Sequence, residues 1–430
     1  MPSYINGVDA SLITGLGQIG VTPSPGPTIY PSGGLVVNSG DLRPDLAIRS
    51  GIVPATGSNY FYSRPGRMDS ASLGTSNWTK IVSNDQATFF LSSSGELYAM
   101  GGANSSIYTG TGKSDTLAKV TTGSNWTDIA AGLQFAIGIC DGKLFGIGTN
   151  GNGQFGRGNT TSNLSNFGVI NGNTFWTKVS AGNGFSIAMS GSGGSGSIFS
   201  AGSNSSGRTG QNTTVGNTLT FTQPVGFTGS IFTDISCGED YSLVISGGNI
   251  YGTGENGDYT LGNGNTTDRS TFGLVSGSGI FTRVFAFTDF SKAIDTSTRH
   301  YHTGNESNTR GDGDSFTAIT TWTRLNTSGE FTSGWQNFYS YHLGGTSYGV
   351  IGVKSNRPFF IGTAASYTGY MPNTTWTDYI NTATSTWTAF VSASINVSCS
   401  AAAFSPGWNN ILDPILFINL TPTSWYTLLK

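Results

Sequence analysis

The residues able to do chemistry are few. Only three histidines occur, His300, His302 and His342. His300 and His302 stand at i and i+2, which places both imidazoles on one face of a strand, as half of a metal site would require. No further ligand is spaced nearby, so the favoured reading is a pair of ordinary, exposed strand histidines. Asp312-Gly313-Asp314 has the start of a calcium-loop pattern, but the closing glutamate is missing. Cys140, Cys237 and Cys399 are too sparse and odd in number for a disulfide framework, and are expected to be small buried residues. Asn-x-Thr/Ser triplets begin at Asn77, Asn125, Asn159, Asn212, Asn265 and Asn396. They would be glycan acceptors in a secreted eukaryotic protein, and otherwise follow from repeat composition. No Ser-His-Asp order, phosphate loop or pair of catalytic carboxylates stands out. The expectation is a chain that is not an enzyme, with no cofactor and no catalytic or metal-binding residues.

The elements that must hold these residues are repeats. An aromatic residue, most often followed by Thr, opens an alternating strand at Trp78, Trp126, Trp176, Phe232, Phe281, Trp335 and Trp387, at intervals of 48 to 56 residues. Trp-Thr pairs at Trp322 and Trp376 lie about a dozen residues before better copies and read as loop or fourth-strand residues. After each anchor the strand ends in a small residue. A second apolar strand follows (Phe135 to Cys140, Tyr241 to Ile245), then a tight turn such as Asp141-Gly142, then a third strand. A Gly/Asn-rich loop comes next, most complete from Gly148 to Thr161, with Gly148, Asn150, Gly153, Gln154, Gly156 and Gly158 as its recurring positions. Sister loops start at Gly202 and Gly254, and the stretch from Gly304 to Asp314 is a further copy, which gives Asp312 a structural role in a turn.

One small antiparallel sheet cannot bury both its faces. Sheets stacked radially around an axis bury both faces of each and leave only short edges. The fold class expected is therefore all-β: a seven-bladed β-propeller with an extended N-terminal arm and a short apolar C-terminal extension. The recurring aromatic is read as a wedge between blades. The alternative is a row of exposed aromatics that stack on a ligand.

The anchor, its small-residue strand end and the Gly-x-Asn-x-x-Gly-Gln-x-Gly-x-Gly loop resemble the regulator of chromosome condensation repeat family, a family of seven-bladed propellers. The resemblance spans about residues 59 to 407. It is strong in the loop at Gly148 and degraded in the last two repeats. Known members include a nucleotide-exchange factor for a small GTPase that also binds chromatin. No residues here match that activity, so the resemblance implies the fold alone.

Only 10% of the 430 residues are charged and the net charge is −3. No basic stretch offers a partner for a phosphate backbone, so nucleic acid is not expected. No run of about 18 apolar residues is present, so membrane insertion is not expected either. Met1 to Gly20 lacks a basic region followed by an apolar run, and no secretory signal is expected. Eight of the 14 prolines fall in the first 65 residues, and with interspersed glycine they favour an extended arm over helix or central strand. The domains expected are residues 1–58 as an anchoring arm, 59–407 as the propeller and 408–430 as an apolar docking segment. That last piece either packs on the propeller or receives a partner. Residues 59–76, with Tyr60-Phe61-Tyr62, are expected to complete the last blade with strands from both termini.

Low charge, richness in Gly, Ser, Thr and Asn, and a long arm together point to a structural protein of a phage particle, in a capsid decoration, tail, baseplate or fibre. The arm and C-terminal segment would bind other virion proteins in a multi-copy assembly, and the propeller would face a host receptor or glycan. The alternatives are a soluble cytoplasmic protein-binding propeller, such as a small-GTPase regulator, and a glycan-binding propeller.

Overall fold

A computed structural model describes residues 78–362 apart from the segments 85–86, 102–113, 162–163, 174, 192–195, 228–230, 277–279, 306–317, 326–329, 343–347 and 356. Outside that span it describes only the backbone course of short strands. Each anchor opens a strand: Trp78–Ser83, Trp126–Gly132, Trp176–Ala181, Phe232–Cys237, Phe281–Ala286, Trp335–His342 and Trp387–Ala393. The first six anchored repeats each fold into four antiparallel strands in sequence order. Blade 2 is typical, with Trp126–Gly132, Phe135–Cys140, Lys143–Gly148 and Leu164–Asn171. Trp322 and Trp376 fall in fourth strands, Ile319–Arg324 and Asn373–Asp378.

The anchored strands are the inner ones. From blade 1 to blade 5 each lies beside its successor, and that of blade 6 packs on Phe290–Asp295 of blade 5 and beside the seventh. The seventh then pairs in parallel with the first, Val391 opposite Ile81, Ser392 opposite Val82 and Ala393 opposite Ser83. Seven inner strands thus return to their start, and the chain is an all-β propeller. Of residues 59–76, expected to complete the seventh repeat, the described strands Tyr60–Ser63 and Gly66–Asp69 do not pair with it. Tyr60–Ser63 pairs with Gly66–Asp69 as its own hairpin, while the seventh inner strand pairs with Ala402–Phe404 on one side and blade 1 on the other. Backbone pairing with blade 1 closes the inner edge of the seventh anchored strand, so the ring joins without the hairpin.

Apolar side chains on both faces of each sheet make the seams between blades the core. Trp126 joins Phe89, Leu91 and Leu97 of blade 1. Trp176 packs with Phe135, Ile137 and Phe155 of blade 2. Phe232 packs with Phe185 and Ile187 of blade 3, Phe281 with Tyr241 and Leu243 of blade 4, and Trp335 with Phe290 and Ile294 of blade 5. These five anchors are 1–6% exposed. The side chains of Trp78 and Trp387 lie outside the described residues.

Close approach between blades also explains the small residue at the end of the inner strand. A Cβ on Gly182 would stand 2.0 Å from the Phe185 ring and 2.7 Å from the carbonyl oxygen of Gly238 in the next blade. Gly132 and Gly238 are confined in the same way. Truncating a buried seam aromatic leaves a cavity that rigid neighbouring sheets cannot close. Trp176→Ala should therefore lower stability by about 3–5 kcal/mol, read as a fall in the midpoint of chemical unfolding.

Candidate functional site

The ring of inner strands carries most of the polar chemistry. Every anchored strand has a register shift between the anchor and the residue two positions on, from Trp78/Lys80 to Trp387/Ala389. A bulge re-aims the side chain it precedes, and here it turns that second residue toward the neighbouring blade. Those residues alternate in charge: Lys80, Asp128, Lys178, Asp234, Arg283. Asp128 accepts a hydrogen bond from Lys80 Nζ of blade 1 at 2.6 Å and another from the Val179 N–H of blade 3 at 2.9 Å. Asp234 repeats this, taking Lys178 Nζ on one side and the Val284 N–H at 2.8 Å on the other. Arg283 donates to the Gln336 carbonyl of blade 6 at 2.7 Å.

Serines extend the same scheme. Ser180 Oγ accepts from the Cys237 N–H and Ser236 Oγ from the Ala286 N–H, both at 2.9 Å. An inner strand is a sheet edge, and edge N–H groups need partners. Side chains of the preceding blade supply them. In the second strands, Ser186, Ser242 and Ser291 donate to the carbonyls of Gln154, Arg208 and Thr260 in the preceding blade's loop. Sequence reading missed these aromatic-Ser pairs, although Phe185-Ser186, Tyr241-Ser242 and Phe290-Ser291 repeat visibly.

The Gly/Asn loops repeat in detail. Asn150 is fully buried; its Oδ1 accepts from the Phe155 N–H at 2.9 Å and its Nδ2 donates to the Asn159 carbonyl at 2.9 Å. Asn204 and Asn256 make the same two bonds in their own loops. Gln154, 2% exposed, takes the Asn152 N–H at 3.0 Å. Gly148, Gly153, Gly156 and Gly158 all have positive φ. At Gly254, which matches Gly148, φ is +107° and a Cβ would stand 2.5 Å from Tyr241 Cα, so backbone sterics exclude any side chain. Tyr259 holds φ +59° where its sisters are Gly153 and Gly207, a strained conformation for a bulky residue.

The two ends of the ring differ chemically. The end that carries the turns between second and third strands exposes Val169, Phe175, Ile231 and Leu274 at 50–66%. The opposite end, where the Gly/Asn loops lie, is acidic over blades 4 and 5, with Glu239, Asp240, Glu255, Asp258, Asp268 and Asp289. Partial burial pushes the Glu255 carboxyl up, and Asp268, Asp258 and Asp240 nearby push it further against the Gly257 N–H. Burial also raises Asp240, opposed by its ion pair with Arg208.

His300 and His302 are not exposed strand residues. Both are fully buried beside Lys292, between blades 5 and 6. Among the described residues no group of three or more His, Cys, Asp or Glu side chains is arranged to hold a metal ion. Cys140 and Cys237 are buried free thiols, and burial pushes the Cys237 thiol up to about 12. Cys399, the Asp312 loop, and the side chains of the arm and C-terminal segment lie outside the described residues.

No family model matches the sequence, and no curated protein does. Solved structures do. Human WBSCR16 superposes with a TM-score of 0.64 over 87% of this chain and 99% of its own, at 13% identity. Yeast RCC1 (Prp20), in its crystal structure with Kap60, gives 0.51 over 67% of each chain at 18% identity. The likeness is one of fold. It shows a propeller architecture, as the repeat of anchors and Gly-rich loops implies.

Asp234→Ala would leave the Val284 N–H without its acceptor inside a seam, while Lys178, nearly a third exposed, can turn to water. The expected loss is about 1–3 kcal/mol, with Asp234→Asn losing less because an amide oxygen still accepts. Chemical unfolding of the two variants side by side checks this ordering.

Proposed function

We propose that this chain is a non-enzymatic protein-binding propeller, and that it serves as a structural component of a phage particle. The observation that carries the binding role is the exposure of Val169, Phe175, Ile231 and Leu274 at one end of three consecutive blades. The seams use most of the large apolar side chains. These four stay exposed together at one end, while Val215, Leu219 and Val225 are exposed elsewhere on blade 3. Exposed apolar groups are available for contact with something outside the ring. Yeast RCC1, similar in fold, is itself seen bound to Kap60. Composition supports the virion setting: 10% charged residues, 64 glycines and a proline-rich first 65 residues suit a stable knob on an anchoring arm.

The acidic loop end over blades 4 and 5 favours a second reading, a soluble cytoplasmic propeller that binds a basic protein face. Glycan binding through a row of tryptophans loses support, because Trp126, Trp176 and Trp335 are buried in seams.

Particles purified from cells that carry the encoding genome should contain the chain in stoichiometric amount. Removal of residues 1–57 should abolish its incorporation while leaving the thermal unfolding of the propeller in place. The virion reading fails if the chain stays in the particle-free fraction. The pair Phe175→Ser and Ile231→Ser should reduce capture of its partner at least tenfold, whereas Asp258→Lys with Asp268→Lys should do so if the acidic end is the contact.

A further inference from the structure

Blade 5 departs from its sisters at one seam only in a coordinated way. At the third position of the second strand, blades 2, 3 and 4 carry Ile137, Ile187 and Leu243, all fully buried. Blade 5 carries Lys292, also fully buried. On the third strand the sister residues are Leu144, Ile198 and Ile250, then Gly146, Ser200 and Gly252. Blade 5 has His300 and His302 there. Register places Lys292 opposite His302. Three apolar or small positions are thus replaced together by three basic groups that touch one another.

Their geometry brings the three bases into contact. Lys292 Nζ lies 3.0 Å from His300 Nε2 and 3.2 Å from His302 Nδ1. Each contact sets the lysine amine against an imidazole nitrogen, so a proton added to either ring adds positive charge to a buried group of three bases. Phe290, Phe338 and Trp335 wall the cluster, with the Phe338 ring 4.7 Å from His300 and the Phe290 ring 5.6 Å from His302. From blade 6, Trp335, Phe338, Val350 and Ile361 pack into this seam. Arg283, on the same face of blade 5, is a further cation. Asp295 and Tyr301 project from the opposite face, where they bond to each other and Asp295 binds Arg299.

We propose that Lys292, His300 and His302 form an acid-sensitive latch between blades 5 and 6, which opens this seam before the others when an imidazole is protonated. Protonation of an imidazole adds positive charge beside the Lys292 amine and the other ring, with little water to screen it. The sign follows from the shift: burial first, then Lys292 and His302, hold His300 well below the ordinary imidazole range. The unfolded or opened chain takes up its proton near pH ~6.5, before the closed seam does. Closure is therefore fully favoured above that pH and is lost as pH falls below it, by up to about tenfold in the opening equilibrium per pH unit for the His300 imidazole.

With only three histidines in the chain, ring-proton NMR of the full-length protein titrates each one. His300 should remain neutral at pH 5.5 while the fold persists. Amide exchange read by mass spectrometry should rise at least tenfold between pH 7.5 and 5.0, after correction for intrinsic rates, in peptides covering 281–304 and 335–354 relative to those of blades 2 to 4. Transplanting the blade 4 seam, Lys292→Leu with His300→Ile and His302→Gly, should abolish that selective rise. Titration of all three histidines near pH 6.5 without selective opening, or an equal rise in every blade, would overturn the latch. Because the NMR and exchange arms use the unaltered chain, the proposal stands or falls even if the transplant does not fold.

Discussion

Everything in this molecule depends on the seam, where two sheets with apolar faces meet around one buried aromatic side chain. A four-stranded sheet of this size cannot stand alone, because each face would expose a row of Ile, Leu, Val and Phe. The anchors Trp126, Trp176, Phe232, Phe281 and Trp335 sit at the start of the inner strand and reach back into the preceding blade. Each blade therefore carries the wedge for its neighbour's face, and stability is shared between neighbours around the ring.

The polar interactions fall into place once the seam is closed. Bringing inner strands side by side leaves edge N–H groups facing the next blade, and Asp128, Asp234, Ser180 and Ser236 take them up. Between the last inner strand and the first, backbone pairing does the same work. The Gly/Asn loops then lock the outer part of the ring, with Gly158 N donating to Leu219 and Asn212 N to Ser270 in the following blade. What these uses leave over is a set of exposed apolar side chains, an acidic end, and at one seam a basic cluster in place of aliphatic or small side chains.

Much of the fold was legible in the sequence because the aromatic-Thr anchor and the Gly-rich loop answer local constraints that recur in every repeat. An aromatic wedge and a left-handed glycine leave a mark at a fixed position. The bulge that turns Asp128 and Asp234 sideways was not legible, since nothing in Trp-Thr-Asp distinguishes a residue facing solvent from one facing the next blade. His300 and His302 misled for a related reason: an alternating His-Tyr-His strand reads as half-exposed, and only alignment on Ile250 and Gly252 reveals the buried face. The pairing of Trp387–Ala393 with Trp78–Ser83 spans more than 300 residues and has no local signature at all.

The central claim is that seven inner strands close on themselves. Val82 and Ser392 lie directly opposite in that closing pair, and neighbouring strands lie about 4.8 Å apart, inside the Cα separation of about 4.4–6.8 Å that a disulfide needs. In a chain with Cys399→Ser, the pair Val82→Cys and Ser392→Cys should oxidise to one intramolecular crosslink, identified by peptide mass, and raise the thermal unfolding midpoint. Failure of the two thiols to join within one folded molecule would contradict ring closure.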